Sequence, residues 1–360
     1  MSMQTLSPDD SKIVEPLGLE IPAFAPSRWL PGGHAQTVIG RYLPGPRRRL
    51  EAVAQEVALD DGDRLVVMES VPAGWLTGMP AAVLVHGLAG DASASYMVRL
   101  ALRLVQQRVR VVRVNLRGAG EGFGRARGMY HGGKSDDVRA VVNWLTDRVP
   151  GSPIALAGFS LGANLALKLA AEAVDEPVPG LDCFVAANPP IDLALCARTI
   201  QRKDNLVYDR NFVRWLKRMV RQQHRVFPEL GKPDLSKVKS LYDFDDVYTA
   251  PRNGFDSAED YYARSSTAGR IAQIRLPGLI IHALDDPFIP GEPFLKLCPP
   301  ENVTLELIKH GGHLGYVSRR PWLGDHRWLE ARIATWLAAR WAAPAKKGAG
   351  TVFELEAEIA

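Results

Sequence analysis

The run Gly158-Phe159-Ser160-Leu161-Gly162 places a hydroxyl between two glycines. An apolar stretch, residues 153–159, precedes it, and an Ala/Leu-rich stretch, 161–174, follows. A sharp strand-to-helix turn needs small flanking residues and thrusts its serine out above the sheet. The helix N-terminus below then favours the negative charge that develops as the hydroxyl attacks a carbonyl. A helix N-cap is the plainer use of such a serine. The strand before it and the helix after it favour the nucleophile.

A nucleophilic serine needs a base, and the base needs an orienting acid. After a strand–Ser–helix turn of this kind, the acid and then the histidine follow along the chain. Asp285-Asp286-Pro287 lies just past an apolar run at 276–282, where an open α/β sheet places its crevice. Asp286 stands four residues before Pro290, a spacing common among such acids, and is favoured. Asp285 then reads as a solvated or turn-capping acid. His310-Gly311-Gly312-His313 follows the run 303–309. Two glycines let the chain curl back over the serine, so His313 is favoured as base, with His310 at the strand end in a supporting place. His34, His224 and His326 have no position in this order and read as surface or core histidines.

The attacked carbonyl also needs hydrogen-bond donors. Leu161 N–H, directly after the serine, supplies one. Leu88 N–H, in the loop His86-Gly87-Leu88-Ala89-Gly90, is the choice for the second. Tyr130 and His131, in Tyr130-His131-Gly132-Gly133, lie on a loop before a helix and are candidates for lining the pocket. A basic helix over 209–223 puts Phe212, Trp215, Leu216, Met219 and Val220 on one side. Trp215 is the third pocket candidate. The opposite face carries Arg210, Arg214, Lys217, Arg218 and Arg221. That face reads as a solvated cap surface, with peripheral contact to anionic lipid as the alternative. Arg117-Gly118-Ala119-Gly120-Glu121-Gly122 lacks the immediate helix of a dinucleotide site. HExxH and CxxC spacings are absent, so neither a metal nor a cofactor is expected.

The elements that must position these residues alternate. Residues 51–59 and 64–71 flank an Asp-Asp-Gly-Asp turn and read as a hairpin. The run at 80–86 is apolar enough for a strand buried on both faces of a parallel sheet, 109–116 is β-branched and strand-like, and 153–159 and 181–187 also read as strands. Helical spacing fills 93–107, 135–148 (with Ser135 as N-cap) and 161–174. This order predicts a mostly parallel central sheet with helices on both faces. The division is an N-terminal arm (1–50, read as irregular), a core (51–190), a cap insertion (191–270), the rest of the core (271–342) and a tail (343–360). A last amphipathic helix is expected over 328–341.

The 360 residues are 46% hydrophobic and 23% charged, enough for a sizeable core. A net charge of +4 is low for a nucleic-acid binder. Cys183, Cys196 and Cys298 form no CxxC pair and fit a reducing compartment. Residues 1–20 show no secretory signal, and no stretch reaches the roughly 20 apolar residues of a membrane span. A soluble cytoplasmic protein is expected.

Together these segments resemble one branch of the α/β-hydrolases, which holds bacterial YheT-type hydrolases, mammalian lipid-active relatives and yeast acyltransferases that make medium-chain ethyl esters. The resemblance rests on Gly33-His34-Ala35-Gln36-Thr37, His86–Gly90, Asn115-Leu116-Arg117-Gly118, Tyr130–Gly133, Gly158–Gly162 with Asn164, Phe244-Asp245-Asp246, Asp260-Tyr261-Tyr262, His282–Phe288 and His310–Gly315. It implies an α/β-hydrolase fold with a helical cap, and a triad on Ser160, Asp286 and His313. It also implies hydrolysis of small-molecule esters or acylglycerols, with acyl transfer to an alcohol as the rival activity. A catalytically idle binding protein is the rival from another class. The arm shows no apolar anchor, which turns the expectation from a membrane phospholipase toward a soluble esterase.

Overall fold

The computed structural model describes residues 21–30, 32–43, 50–322 and 325–342. Its centre is an eight-stranded sheet. The strands are β1 (Val53–Ala58), β2 (Arg64–Ser70), β3 (Ala81–Val85), β4 (Arg110–Asn115), β5 (Ile154–Phe159), β6 (Leu181–Ala187), β7 (Gly278–Ala283) and β8 (Val303–Ile308). They lie in the order β1-β2-β4-β3-β5-β6-β7-β8. The first two pairings, β1 with β2 and β2 with β4, are antiparallel, and all the rest are parallel.

Strands β3, β5 and β7 are buried along their whole length, which is why each reads as an unbroken apolar run. Alternate residues serve opposite faces. Val83 and Val85 pack with Val138, Val141 and Leu165 of α3 (Ser135–Arg148) and α4 (Leu161–Glu172). Ala82 and Leu84 pack with Met97 and Leu100 of α2 (Ser95–Gln106), and with Leu329 and Ile333 of the last helix (Trp328–Ala342). Helices thus cover both faces, as the alternating pattern predicts.

Between β6 and β7 the chain is helical: α5 (Leu193–Ile200), α6 (Leu206–Val226), α7 (Leu241–Phe244), a π-helical turn at Asp245–Thr249, α8 (Ala250–Arg252) and α9 (Ala258–Ser265). Val213, Leu216, Met219 and Val220 of α6 join the same cluster as Met129 and Tyr130 of the core. Hydrogen bonds add to this union: Tyr261 Oη accepts from Gly132 N–H at 2.8 Å, and Asn164 Nδ2 donates to Gly132 O and Ser265 O.

Three parts depart from the sequence reading. The arm is not wholly irregular, because Gly33–Tyr42 forms helix α1. A β-hairpin, β9 (Val317–Trp322) with β10 (Asp325–Arg327), precedes the last helix. Ser135 is the first residue of α3 rather than its cap; its hydroxyl donates to Glu172 Oε2 at 2.6 Å instead.

Arg117 locks the hairpin turn to the sheet. Its guanidinium is buried, with Nε and Nη2 each 2.7 Å from Asp137 and Nη1 2.6 Å from both Asp61 and Asp63. Removing one partner strands buried charges, which costs about 3–5 kcal/mol. Arg117→Met should therefore lower the unfolding free energy by about that much in a urea titration. A loss below about 1 kcal/mol would fit a weak surface pair instead.

Candidate active site

Ser160 stands between β5 and α4 with φ 53° and ψ −121°, a backbone strained for a residue with a Cβ. The surroundings impose it. Ser160 N–H donates to Ala187 O of the neighbouring strand at 2.9 Å, and Ser160 O accepts the first bond of α4, from Ala163. A Cβ on Gly162 would lie 2.4 Å from Val85 O, and one on Gly158 would lie 2.1 Å from Gly162 O. Both glycines of the motif are therefore demanded by packing under the serine.

The turn after β3 passes close by: a Cβ on Gly87 would meet Ser160 Cβ at 2.9 Å. Within it, Gly87 N–H donates to Tyr96 Oη and Ala89 N–H to Tyr130 Oη. Gly90 N–H returns to Gly87 O. Leu88 N–H is the amide of this turn left without a protein acceptor among the described residues, and Leu161 N–H opens α4, where helices leave their amides unpaired. His86 anchors the turn. Its Nε2 accepts from Leu116 N–H, so Nδ1 carries the proton donated to Gly87 O at 2.8 Å. Burial pushes this imidazole down to about 4, so it stays neutral.

Asp286 and His313 meet across two loops. His313 Nδ1 is 2.7 Å from Asp286 Oδ2. The same oxygen accepts from Asn188 Nδ2 at 2.6 Å, and Oδ1 accepts from the amides of Phe288 and Ile289. Burial pushes the Asp286 carboxyl upward, but His313, His282 and the Phe288 amide outweigh it and hold the group below its ordinary value. The side chain is an ionised acceptor, aimed at the imidazole. Asp285 does something else: its Oδ1 accepts from Gly311 and Gly312 N–H, each at 2.8 Å, tying down the loop that carries His313. His310 lies 3.4 Å from its other oxygen. Among the described residues no hydrogen bond joins Ser160 Oγ to His313. Such contacts commonly tighten only when substrate is bound.

Three supports escaped the sequence reading. Thr37 of α1 accepts the backbone N–H of His313 at 2.8 Å, and a Cβ on Gly33 would lie 1.8 Å from Asp285 O, so α1 sits hard against both loops. Asn188, at the end of β6 with φ 47°, bonds Asp286 and Gly312 O and accepts from Tyr316 Oη. Phe288 lays its ring 4.7 Å from that of His313. A polar residue directly after an apolar strand was the available signal for Asn188; Thr37 closes the Gly33–Thr37 motif of the resemblance, which gave it no role.

The pocket candidates divide. Tyr130 backs the turn after β3, 5.6 Å from His86, and Trp215 follows at 6.4 Å from Tyr130. His131 turns to the cap, between Phe255 and Tyr261, and burial pushes it down to about 3. A cavity of about 220 Å³ between cap and core is lined by Tyr130, Phe244, Tyr248 and both Arg127 and Arg252, while Ser160 and His313 are not in its wall.

Residues 82–326 match the alpha/beta hydrolase family. The chain belongs to that family. YheT of Escherichia coli (strain K12) is 31% identical over 322 residues, covering 87% of this chain and 92% of that protein. The monoacylglycerol lipase of Saccharomyces cerevisiae is 28% identical over 268 residues, or 72% of this chain and 59% of the yeast protein. Among solved structures, an esterase of Pyrococcus furiosus superposes with a TM-score of 0.51 at 18% identity, over 82% of this chain and 98% of its own, a likeness of fold.

Asn188→Ala would remove one donor from the Asp286 carboxylate and leave Tyr316 Oη unpaired. A hydrogen bond to a charged group contributes about 1.5–3 kcal/mol, so kcat/KM on a soluble ester should fall roughly tenfold to a hundredfold. Circular dichroism should show the fold retained. Unchanged kcat/KM would mean that His313 and the Phe288 and Ile289 amides hold the acid without Asn188.

Proposed function

We propose that the chain hydrolyses carboxylic esters through a Ser160–Asp286–His313 triad and an acyl-enzyme. The observation that carries this reading is the bonded Asp286–His313 pair together with the strained serine at the β5–α4 turn. Ser160 Oγ attacks the acyl carbonyl, and His313 Nε2 takes its proton and passes it to the leaving alcohol. Asp286 holds the Nδ1–H tautomer and stabilises the charged ring. The amides of Leu88 and Leu161 receive the oxyanion. Water, activated by the same histidine, then releases the acid. The relatives support the reaction class, since the yeast protein is named as a monoacylglycerol lipase. Among the described residues no helix is long and apolar enough to cross a membrane.

Ser160→Ala should reduce ester turnover at least about 10³-fold with the fold intact. Asp286→Asn should also cripple turnover, because an amide neither stabilises the imidazolium nor fixes its tautomer. Asp285→Asn should do far less. Equal losses from the two aspartates, or full activity without Ser160, would overturn these roles.

Short-to-medium acyl groups are the proposed substrates, with Tyr130 and Trp215 in the pocket wall. Each buried methylene is worth about 0.8 kcal/mol, or up to roughly fourfold in kcat/KM, until the pocket is full. A p-nitrophenyl ester series from acetate to decanoate should therefore rise and then fall. A flat profile would indicate a shallow open site. Ester product in excess of simple partitioning, in alcohol-rich buffer, would identify an acyltransferase.

A further inference from the structure

The chain holds nine tyrosines. Among the described residues three of them, Tyr96, Tyr130 and Tyr261, have a hydroxyl that accepts a backbone N–H. The amides belong to Gly87, Ala89 and Gly132, at 3.1, 3.0 and 2.8 Å. The other tyrosine hydroxyls with a bond meet side chains instead, as Tyr262 meets Asp245 and Tyr316 meets Asn188. A phenol that ends on an amide fixes main chain. The segments fixed here border Ser160 and Leu161: a Cβ on Gly87 would meet Ser160 Cβ, and one on Gly132 would meet Leu161.

Gly87 and Ala89 flank Leu88, whose N–H has no protein acceptor among the described residues. Ala89 has φ 59°, in the left-handed region that favours glycine. Such a backbone persists only where its surroundings impose it, and the bond to Tyr130 Oη is one such constraint. Tyr96 of α2 reaches Gly87 N–H because Gly90 has no side chain: a Cβ there would lie 3.2 Å from Tyr96 Oη. The ring of Tyr96 packs 4.7 Å from that of Phe159, the residue before Ser160. One side chain thus ties the turn after β3 to the serine turn. Gly132 stands behind the other amide. A Cβ on it would lie 3.1 Å from both Tyr261 Oη and Leu161 Cδ1. Its N–H is held by Tyr261 of α9, and its O by Asn164 of α4 at 2.8 Å. Leu161 therefore packs against a residue fixed from both sides.

We propose that Tyr96, Tyr130 and Tyr261 are positioning residues for the two oxyanion donors. The first two hold Leu88 N–H in place by taking up the amides on either side of it, and the third holds Gly132 against Leu161. The assignment rests on the ester-hydrolase reading, in which the Leu88 and Leu161 amides receive the oxyanion. Burial pushes all three phenols up, Tyr96 to about 12. They are therefore neutral across the pH range in which a histidine base works, and act as fixed dipoles rather than proton carriers. The demand on position is steep, because a misplacement of about 1 Å can cost about 10²-fold in rate and the loss of one donor about 10²–10³-fold.

The test is phenylalanine at each position in the full chain, which keeps the ring and any wall it provides and removes only the acceptor. On p-nitrophenyl butyrate, Tyr96→Phe, Tyr130→Phe and Tyr261→Phe should each lose about tenfold or more in kcat/KM. Affinity for propylboronic acid, which bonds to Ser160 Oγ and sets an oxygen where the oxyanion forms, should fall in parallel. Affinity for N-methylbutyramide, whose carbonyl stays trigonal, should hold. A tyrosine with only a structural role would weaken both ligands alike or neither. Tyr242→Phe, which removes a hydroxyl bonded to Glu259, should behave as wild type in all three measurements. Should one variant not fold by circular dichroism, the other two carry the same expectation. Wild-type kcat/KM in any folded variant of the three, or equal losses of boronate and amide affinity, would overturn the proposal. Full turnover by Ser160→Ala protein would instead remove the triad, so the two failures are told apart.

Discussion

The Asp286 carboxylate is the point on which the site hangs. It is buried, yet both oxygens are filled by donors: two backbone amides on one, His313 and Asn188 on the other. An ionised group in such a place is tolerated only because every lone-pair direction finds a proton. The donors arrive from three separate stretches of chain. Asn188 comes from the end of β6, the amides from the loop after β7, and His313 from the loop after β8. Satisfying one carboxylate therefore fixes three loops relative to one another. The position of the His313 imidazole is a consequence of that convergence.

The same logic orders what lies further out. Asp285 spends its carboxylate on the amides of Gly311 and Gly312, and α1 closes over the result through Thr37 and Gly33. Adjacent aspartates thus divide the work: one faces the histidine ring, the other holds the backbone that carries it. The turn after β3 is pinned by His86, Tyr96 and Tyr130, each of which takes up a particular polar group, while Leu88 N–H has no protein acceptor among the described residues. The helices between β6 and β7 are fastened by a different set. Tyr261 and Asn164 join Gly132 to α9, and Tyr262 donates to the buried Asp245, whose carboxyl is raised to about 6 by burial.

Much of this was legible in the sequence. Buried parallel strands are apolar runs because neither face meets water, and the serine turn is marked by glycines that packing requires. The order of Ser160, Asp286 and His313 along the chain pointed to residues that the fold brings to one end of the sheet. What stayed hidden has a common cause: its meaning depends on distant partners. Helix α1 carries glycines at both ends of a short segment, which local propensity disfavours, yet those glycines let it press against other loops. Strand β9 holds Arg319, Arg320 and Pro321, which do not read as a strand in isolation. Asn188 looks like any loop asparagine until Asp286, 98 residues further on, is placed beside it.

The bond from His313 N–H to Thr37 spans 276 positions of sequence. The geometry of the proposed site is a long-range property, closed by joining an early helix to a late loop. During synthesis the serine turn and the first six strands of the sheet emerge well before that closure, since the chain is made from its N-terminus. On the proposed triad, a nascent chain would expose Ser160 for some time before His313 had been made. On that reading, ester cleavage waits until the final strands and the last helix have docked, because His313 is held only then.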